Sequence, residues 1–254
     1  MPVKDYIQVA TNAQELSRLA AEQFVHLAVE AVRAKRLFTV ALAGGSTPRS
    51  LYALLANEKE PYRAQLPWER IHFFWGDERH VPSDHPDSNY RMASETMLAN
   101  VPVPLENVHR IKSENADAAK AADEYDQTLR KFFRVAEGQL PRFDLILLGM
   151  GPDAHTASIF PGTDVINEKN RLVVAPWVEK FKSYRITLTP PVLNNAAAVI
   201  FLVNGTEKAK VLREVLEGGH QPERLPAQLI RPNKGKVLWL VDQEAAHLLS
   251  ERQR

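Results

Sequence analysis

The sequence predicts an α/β protein with a doubly wound, mainly parallel sheet and helices on both faces. Two observations predict this class. Five short apolar runs lack polar alternation, which is typical of strands buried on both faces, and amphipathic helical patterns separate them, so that strand and helix alternate. The five predicted strands are "LFTVALA" (37–43), "IHFFW" (71–75), "FDLILLG" (143–149), "AVIFLVN" (198–204) and "KVLWLV" (236–241).

The first predicted helix covers residues 11–35. Its apolar residues recur every three or four positions, and Thr11 and Gln14 have the spacing of a capping box. Later periodic segments predict helices at 48–56, 90–98, 115–135 and 206–217. The run "YRITLT" (184–189) predicts one further strand.

The chain has 254 residues and 44% apolar content, enough for a large core. We see no internal repeat and no linker long enough to divide it, and therefore expect one domain over residues 1–254.

The net charge and the absence of cysteine limit the kinds of ligand and chemistry that this protein can use. The formal net charge is +1, with 32 basic and 31 acidic residues, so no overall field attracts nucleic acid or an anionic membrane, and any anion site must be local. The absence of cysteine excludes disulfides, thiolate metal sites and thiol nucleophiles. No signal sequence or membrane-spanning run is evident, and we expect a soluble cytoplasmic protein.

In a doubly wound sheet, ligands bind beyond the carboxyl ends of the strands. The segment "AGGSTP" follows the 37–43 strand, and we expect Gly44, Gly45, Ser46 and Thr47 to form an anion-binding turn at a helix N-terminus. An ordinary capped turn is the alternative. The segment also approaches the G-x-S-x-G nucleophile elbow, but Pro48 replaces the last glycine.

The next strand end carries "GDERHVPSDHPDSNYR" (76–91). In a substrate loop, Arg79 offers donors to phosphate or carboxylate, and Asp77 accepts from sugar hydroxyls or orients a base. A metal site built on His80 and His85 is disfavoured because Pro82 interrupts any helix between them. A solvated charged loop stays an alternative for Glu78, His80, Asp84 and His85.

The segment "GMGPDAHTASIFPG" (149–162) follows the 143–149 strand. Its first six residues fit the dinucleotide fingerprint G-x-G-x-x-A, but Pro161 and Gly162 leave no room for the long helix that fingerprint requires. We expect the glycines to let a small ligand approach. Histidine exchanges protons near neutrality, so His155 is the candidate general base, with Asp153 two residues before it. A surface or packing histidine is the alternative.

Two cations follow later strands. Arg185 lies in the 184–189 strand, and Lys208 lies near the start of the predicted 206–217 helix, where its charge opposes the helix dipole. Binding of an anion held at 44–47 would explain both cations. Either alone also fits a solvated surface residue.

Five segments in one order resemble the 6-phosphogluconolactonases, a family related in fold to glucosamine-6-phosphate deaminase. The segments are "AGGSTP" (43–48), "GDERHVPSDHPDSNY" (76–90), "GMGPDAHTASIFPG" (149–162), "RITLTPPVLNNA" (185–196) and "GTEKAKVL" (205–212).

The resemblance implies a Rossmann-like fold of the glucosamine-6-phosphate deaminase type and hydrolysis of 6-phospho-D-glucono-1,5-lactone to 6-phosphogluconate in the oxidative pentose phosphate pathway. It implies that His155 activates water, and that Arg79, Arg185 and Lys208 hold the phosphate or steer the substrate. Asp77 and Asp153 would assist. It implies no metal and no cofactor. The expected partner is a small phosphosugar lactone, and the expected assembly a monomer or small homo-oligomer.

Three points stay open in this resemblance. The oxyanion donors are backbone N–H groups near Gly45 or Gly151, or the Arg79 guanidinium. The deaminase branch continues after its histidine into a carboxylate, whereas this chain reads "IFPG", which favours hydrolysis. The family's usual glycine before the histidine is Ala154 here, and we expect a negative φ at this position because alanine is strained at positive φ.

Two other classes of function stay alternatives. A phosphosugar-binding protein would keep Ser46, Thr47, Arg185 and Lys208 but has no need of His155. A nicotinamide-dependent oxidoreductase would use the glycines of 149–154.

Overall fold

The computed structural model describes residues 6–251. Its strands are β1 (Tyr6–Ala10), β2 (Phe38–Leu42), β3 (Ile71–Trp75), β4 (Asp77–Arg79), β5 (Leu145–Gly149), β6 (Val173–Val174), β7 (Trp177–Val178), β8 (Ser183–Leu188), β9 (Ala198–Val203) and β10 (Lys236–Asp242). Its α-helices are α1 (Ala13–Lys35), α2 (Ser46–Ala56), α3 (Pro61–Gln65), α4 (Asn89–Thr96), α5 (Ala118–Phe133), α6 (Pro190–Leu193), α7 (Ala209–Glu217) and α8 (Gln243–Ala246).

The central sheet has six strands in the order β1-β10-β9-β5-β2-β3, and every neighbouring pair is parallel. The predicted fold class is therefore confirmed, and all five predicted core strands are in this sheet. Strand β2 is buried along its whole length, as expected for a strand with helices on both sides. The carboxyl ends of β2, β5 and β9 meet near the middle of one sheet edge.

The sequence analysis missed strand β1. It pairs with β10 from Tyr6 against Leu238 to Ala10 against Asp242. Strand β1 lies at the sheet edge and is partly exposed, so its five residues carry no long apolar run. Its pairing with the distant strand β10 cannot be inferred from the local sequence.

All five predicted helix starts differ from the observed ones, by one to three residues. Helix α1 begins at Ala13, and Asn12 rather than Thr11 caps it, since the Asn12 side chain accepts from the N–H groups of Gln14 and Glu15. Residues 206–208 form a 3₁₀ turn before α7 begins at Ala209.

A second, antiparallel sheet lies beside the carboxyl ends of the central strands. Strand β8 pairs with β4, β6 and β7. Strand β8 was predicted, but β4 falls in the segment read as a substrate loop. Because β4 follows β3 after Gly76 alone, the small sheet is carried directly on the end of the central sheet. It is therefore positioned to form one wall of the cleft described below.

None of the helices in the described part of the chain is long and apolar enough to span a membrane.

An unpredicted histidine pair lies at the β3 edge of the central sheet. His72 Nδ1 is 3.2 Å from His109 Nε2, and Phe74 stacks on His109 with 4.4 Å between ring centroids. Burial, together with the nearby His72, lowers the pKa of His109 to about 4. Burial also lowers the pKa of His72. Both rings are therefore neutral at pH 7.

This pair predicts a loss of stability in mild acid. Between pH 6.5 and about 4 the unfolded histidines take up protons that the folded pair excludes, so the free energy of unfolding falls as pH falls. We expect His109→Gln to weaken this dependence, and the exposed His26→Gln to leave it unchanged. Thermal unfolding midpoints from pH 7 to 4.5 measure the effect, expected to be several degrees. Parallel curves for H109Q and wild type would contradict it.

Candidate active site

A cleft opens at the carboxyl ends of β2, β5 and β9. Its first cavity, of about 280 Å³, is lined by segment 43–48 after β2, by residues 149–152 with His155 after β5, and by Asn204, Glu207 and Lys208 after β9. A second cavity, of about 440 Å³, lies against β4 and β8. Four residues line both cavities: Asp77, Arg79, His155 and Ala157. The strand-end argument thus located the cleft correctly.

His155 lies where the two cavities meet. Its Nδ1 is 2.5 Å from Asp153 Oδ1, and its ring stacks on Phe160, with centroids 4.1 Å apart and an interplanar angle of 22°. A carboxylate only accepts, so Nδ1 carries the hydrogen and Nε2 presents a lone pair. Nε2 forms no hydrogen bond with any residue from 6 to 251. The imidazole is thus oriented to accept a proton.

The Asp153 carboxylate bridges the His155 imidazole and the Lys180 ammonium group. Its Oδ1 faces His155, and its Oδ2 accepts from Lys180 Nζ at 3.1 Å. Partial burial raises the pKa of Asp153, but hydrogen bonds from His155 and Lys180 outweigh burial and hold that pKa well below its usual range. The carboxylate is therefore ionised at neutral pH.

Gly151 has a steric requirement for glycine. A Cβ at this position would overlap the Nδ1 and Cε1 atoms of His155. The Gly151 N–H donates to the His155 carbonyl at 2.9 Å and the Ala154 N–H donates to the Gly151 carbonyl at 3.0 Å, so residues 151–155 form a closed turn. The Gly151 N–H is therefore no longer a candidate oxyanion donor.

The expectation of a negative φ at Ala154 is wrong. Ala154 is buried and has a φ of 61°. The closed turn requires this conformation, and the Ala154 carbonyl accepts from Ala227 N–H at 2.9 Å, which ties the turn to a distant segment. Alanine tolerates the left-handed region at a cost of roughly 1–2 kcal/mol. The turn thus has the backbone that the family's usual glycine favours.

The predicted anion loop begins helix α2. Gly45 has a φ of 101° and occupies the N-cap position, where no described side chain caps the helix. The first N–H groups of α2 have no intrahelical acceptor, and the positive end of the helix dipole faces the first cavity. The Thr47 hydroxyl donates to Asn204 Oδ1 at 2.5 Å, which joins this loop to the end of β9.

Lys208 lines the first cavity opposite the 44–47 loop, and only 19% of its side chain is exposed. Burial lowers its pKa, partly offset by the carboxylates of Glu207 and Asp153. Its Nζ lies 3.9 Å from Glu207 Oε1, too far for a strong hydrogen bond. An anion in the cavity would stabilise this ammonium group.

Arg79 and Arg185 face each other across the small sheet. They are register partners in β4 and β8, and neither forms a salt bridge within residues 6–251. Burial lowers the pKa of Arg185, and the neighbouring Arg79 lowers it further. Arg79 lines both cavities, but Arg185 lines only the second. The structure therefore separates Arg185 from Lys208, which the sequence analysis had placed around one anion.

Asp77 is buried at the start of β4, between the two cavities. Its Oδ2 accepts from Ser158 Oγ at 2.6 Å, and its carbonyl oxygen accepts from Asn89 Nδ2 at 3.0 Å. The neighbouring Glu78 is 1% exposed, so a solvated position is wrong for it. Glu78 accepts from Ser88 Oγ, from the N–H groups of Asn89 and Tyr90 at the start of α4, and from the Arg79 N–H. Glu78 therefore holds the segment that carries Asn89.

The other polar residues of the 76–91 segment stabilise the loop itself. A ring nitrogen of His80 is 2.6 Å from the Asn115 carbonyl, His85 Nδ1 accepts from Asp87 N–H, and the Asp84 carbonyl accepts from Arg91. Within residues 6–251 no group of three or more His, Asp or Glu side chains is placed to hold a metal ion.

Five residues of the site were missed from sequence: Asn89, Ser158, Phe160, Lys180 and Asn204. Asn204 directly follows the β9 strand, so the rule that placed Ser46 at the cleft also identifies it. Lys180 belongs to a short hairpin with no apolar pattern. Ser158 and Asn89 are recognisable only by their contacts with Asp77.

Fold and site together define a doubly wound α/β protein with an oriented histidine and partly buried cations at the carboxyl ends of its strands. The chain belongs to the glucosamine-6-phosphate isomerase/6-phosphogluconolactonase family, whose sequence model matches residues 11–239.

Individual relatives agree with this membership. The chain is 41% identical to a 6-phosphogluconolactonase of Synechocystis, over 96% of this chain and 98% of that protein. A 6-phosphogluconolactonase of Nostoc is 43% identical, over 87% and 88% of the two chains. The solved 6-phosphogluconolactonase of Trypanosoma brucei superposes with a TM-score of 0.85 at 32% identity, over 98% of this chain and 100% of that one.

The packing of Asn89 against Gly44 gives a prediction about stability. A Cβ at residue 44 would overlap the Asn89 amide, whereas a Cβ at Gly149 meets no atom within 4 Å. We expect Gly44→Ala to lower the free energy of unfolding by about 1–3 kcal/mol, and Gly149→Ala to change it by less than about 0.5 kcal/mol. Urea denaturation of both variants measures this difference. Equal stabilities would refute the proposed contact.

Proposed function

We propose that this chain hydrolyses 6-phospho-D-glucono-1,5-lactone to 6-phosphogluconate, a step of the oxidative pentose phosphate pathway, with His155 as general base. The observation that carries the proposal is the Asp153-oriented imidazole of His155, which lies where a cavity lined by Lys208 meets one lined by Arg79 and Arg185. Relatives named 6-phosphogluconolactonase that match nearly the whole chain support the same reaction.

The hydrolytic step needs one proton carrier. Nε2 of His155 takes a proton from water as the water oxygen adds to C1 of the lactone, forming a tetrahedral intermediate. The intermediate collapses by breaking the bond from C1 to the ring oxygen, and the imidazolium returns its proton to that oxygen. The ionised Asp153 stabilises the imidazolium between these steps. General base catalysis of this kind contributes about 10²–10⁴-fold.

Substrate orientation comes from the phosphate. We place this group in the first cavity, on the N–H groups of Ser46 and Thr47 and on the Lys208 ammonium, where Gly44 and Gly45 allow close approach. A phosphate dianion in this cavity would offset the energetic cost of keeping the partly buried Lys208 side chain charged. Holding one end of the substrate fixes the distance from C1 to His155, which is the larger part of the benefit.

Arg79 and Arg185 form the second group of cations. With the Gly151 N–H engaged, the Arg79 guanidinium and the backbone N–H groups near Gly45 are candidate donors to the oxyanion. Arg79 lines both cavities beside His155, which favours it. Arg185 adds positive potential that attracts the anionic substrate and retains the carboxylate product. Asp77, tethered by Ser158, accepts from sugar hydroxyls.

Two other functions have less support. A phosphosugar-binding protein without turnover has no use for an imidazole held by a carboxylate. Deaminase chemistry needs a further acid after the histidine, but residues 156–163 contain no carboxylate, and Phe160 stacks against the ring.

The direct test measures decay of the lactone, generated in place from glucose 6-phosphate by its dehydrogenase, against the spontaneous rate. We expect wild type to accelerate the decay and His155→Gln to lower kcat/KM by about 10²-fold or more. The exposed His220→Gln is the matched control and should equal wild type. A wild-type rate equal to the spontaneous rate would remove the proposal, and full activity in H155Q would remove the role of His155.

A second test uses the two glycines of the "GMG" segment. Gly151→Ala places a methyl group where the His155 ring lies, whereas Gly149→Ala places one in open space. We expect G151A to lower kcat at least about 10²-fold through misplacement of the base. Gly149 lines the first cavity, so we expect G149A to keep kcat within about twofold of wild type, with any further effect confined to KM. Comparable activity in the two variants would contradict the described position of the imidazole.

A further inference from the structure

A short hairpin reaches from the small sheet to the catalytic pair. Strand β7 pairs with β8, Trp177 opposite Tyr184 and Val178 opposite Ser183, and the Lys182 N–H donates to the Glu179 carbonyl to close the turn between them. Residues 179–181 form a single 3₁₀ turn. The tip of this hairpin therefore has a defined backbone, although its aromatic side chains are partly exposed.

Lys180 at this tip contacts Asp153. Its Nζ is 3.1 Å from Asp153 Oδ2, and the other carboxylate oxygen, Oδ1, binds His155. The three groups form a continuous row of ammonium, carboxylate and imidazole. The proposed hydrolytic step itself gives Lys180 no role.

Aromatic contacts hold the tip in place. Phe181 packs edge-on against Phe160 with ring centroids 5.7 Å apart, and Phe160 stacks on His155. On its other side, the Arg185 guanidinium lies 4.9 Å from the centroid of the Phe181 ring. Lys180 is thus anchored next to Asp153 by its chain neighbour, which reduces the entropic cost that weakens most exposed ion pairs.

We propose that Lys180 is a positioning residue, which holds the Asp153 carboxylate in the orientation that aligns the His155 imidazole. A carboxylate bound only through Oδ1 rotates about its terminal torsion with little restriction. A cation on Oδ2 removes that freedom and keeps Oδ1 directed at Nδ1. This inference rests on the proposed function, because alignment of the base matters only for the hydrolytic step.

A direct contact with substrate is the competing role for Lys180. An ammonium group that leaves Asp153 to bind phosphate would contribute to KM, since the interaction forms in the ground state. A positioning residue changes kcat instead. Lys180 lines neither the first nor the second cavity, which favours positioning.

The pH dependence of the rate separates these roles further. Without the Lys180 charge, the protonated form of His155 is repelled less and therefore forms more readily. The pH below which kcat falls, the acid limb of the kcat profile, should then be higher in the variant than in wild type. The other charged side chains that line the two cavities are unchanged by this substitution: Asp77, Arg79, Asp87, Arg185, Glu207 and Lys208.

The test compares Lys180→Gln with Lys182→Gln, which removes the same charge two residues away without a contact to Asp153. We expect K180Q to lower kcat about 3–10-fold with KM within twofold, and to move the acid limb upward. K182Q should match wild type, and Lys180→Arg should recover most of kcat.

Two results would overturn the inference. Equal kcat and equal acid limbs in K180Q and K182Q would show that the contact has no effect. A raised KM with unchanged kcat in K180Q would assign Lys180 to substrate binding. Wild type that fails to accelerate lactone decay would instead overturn the proposed function and the inference together, so the two failures are distinguishable.

Discussion

The hydrogen bond from His155 Nδ1 to the Asp153 carboxylate is the interaction on which the rest of the site depends. It directs Nε2 into the cleft, and it exists only because the turn after β5 brings residues 153 and 155 together. Gly151 leaves room for the ring, and the positive φ of Ala154 closes the turn. The buried β5 strand fixes this turn at the centre of the sheet edge. A rigid scaffold therefore supports a strained loop, as is common at functional sites.

Charge is distributed around this pair in a way that suits an anionic substrate. Lys208 and the start of α2 line the first cavity, Arg185 lines the second, and Arg79 lines both. These cations are partly buried and lack strong carboxylate partners, so each holds charge at an energetic cost. Such a cost is ordinarily compensated by a bound anion. Arg79 and Arg185 come from the small sheet, which lies at the cleft because only Gly76 separates β4 from β3.

Much of this architecture was predictable from local sequence, and the exceptions have physical reasons. Apolar runs identified the five core strands because burial on both faces leaves no polar positions. Edge strand β1 and the short strand β4 gave no such signal. The strand-end rule located Ser46, Asp77 and His155, but contacts such as Ser158 with Asp77 depend on tertiary structure. The prediction for the φ of Ala154 was wrong because it considered only the strain of alanine at positive φ. The hydrogen bonds of the turn formed by residues 151–155 outweigh that strain.

The central claim is that substrate lies between the 44–47 loop and His155, with C1 at the imidazole. A crystal structure of the His155→Gln variant with 6-phosphogluconate tests it most directly. The account predicts the phosphate on the Ser46 and Thr47 N–H groups and Lys208, with the carboxylate beside residue 155 and Arg79. A phosphate in the second cavity, on Arg185, with C1 remote from residue 155 would contradict it.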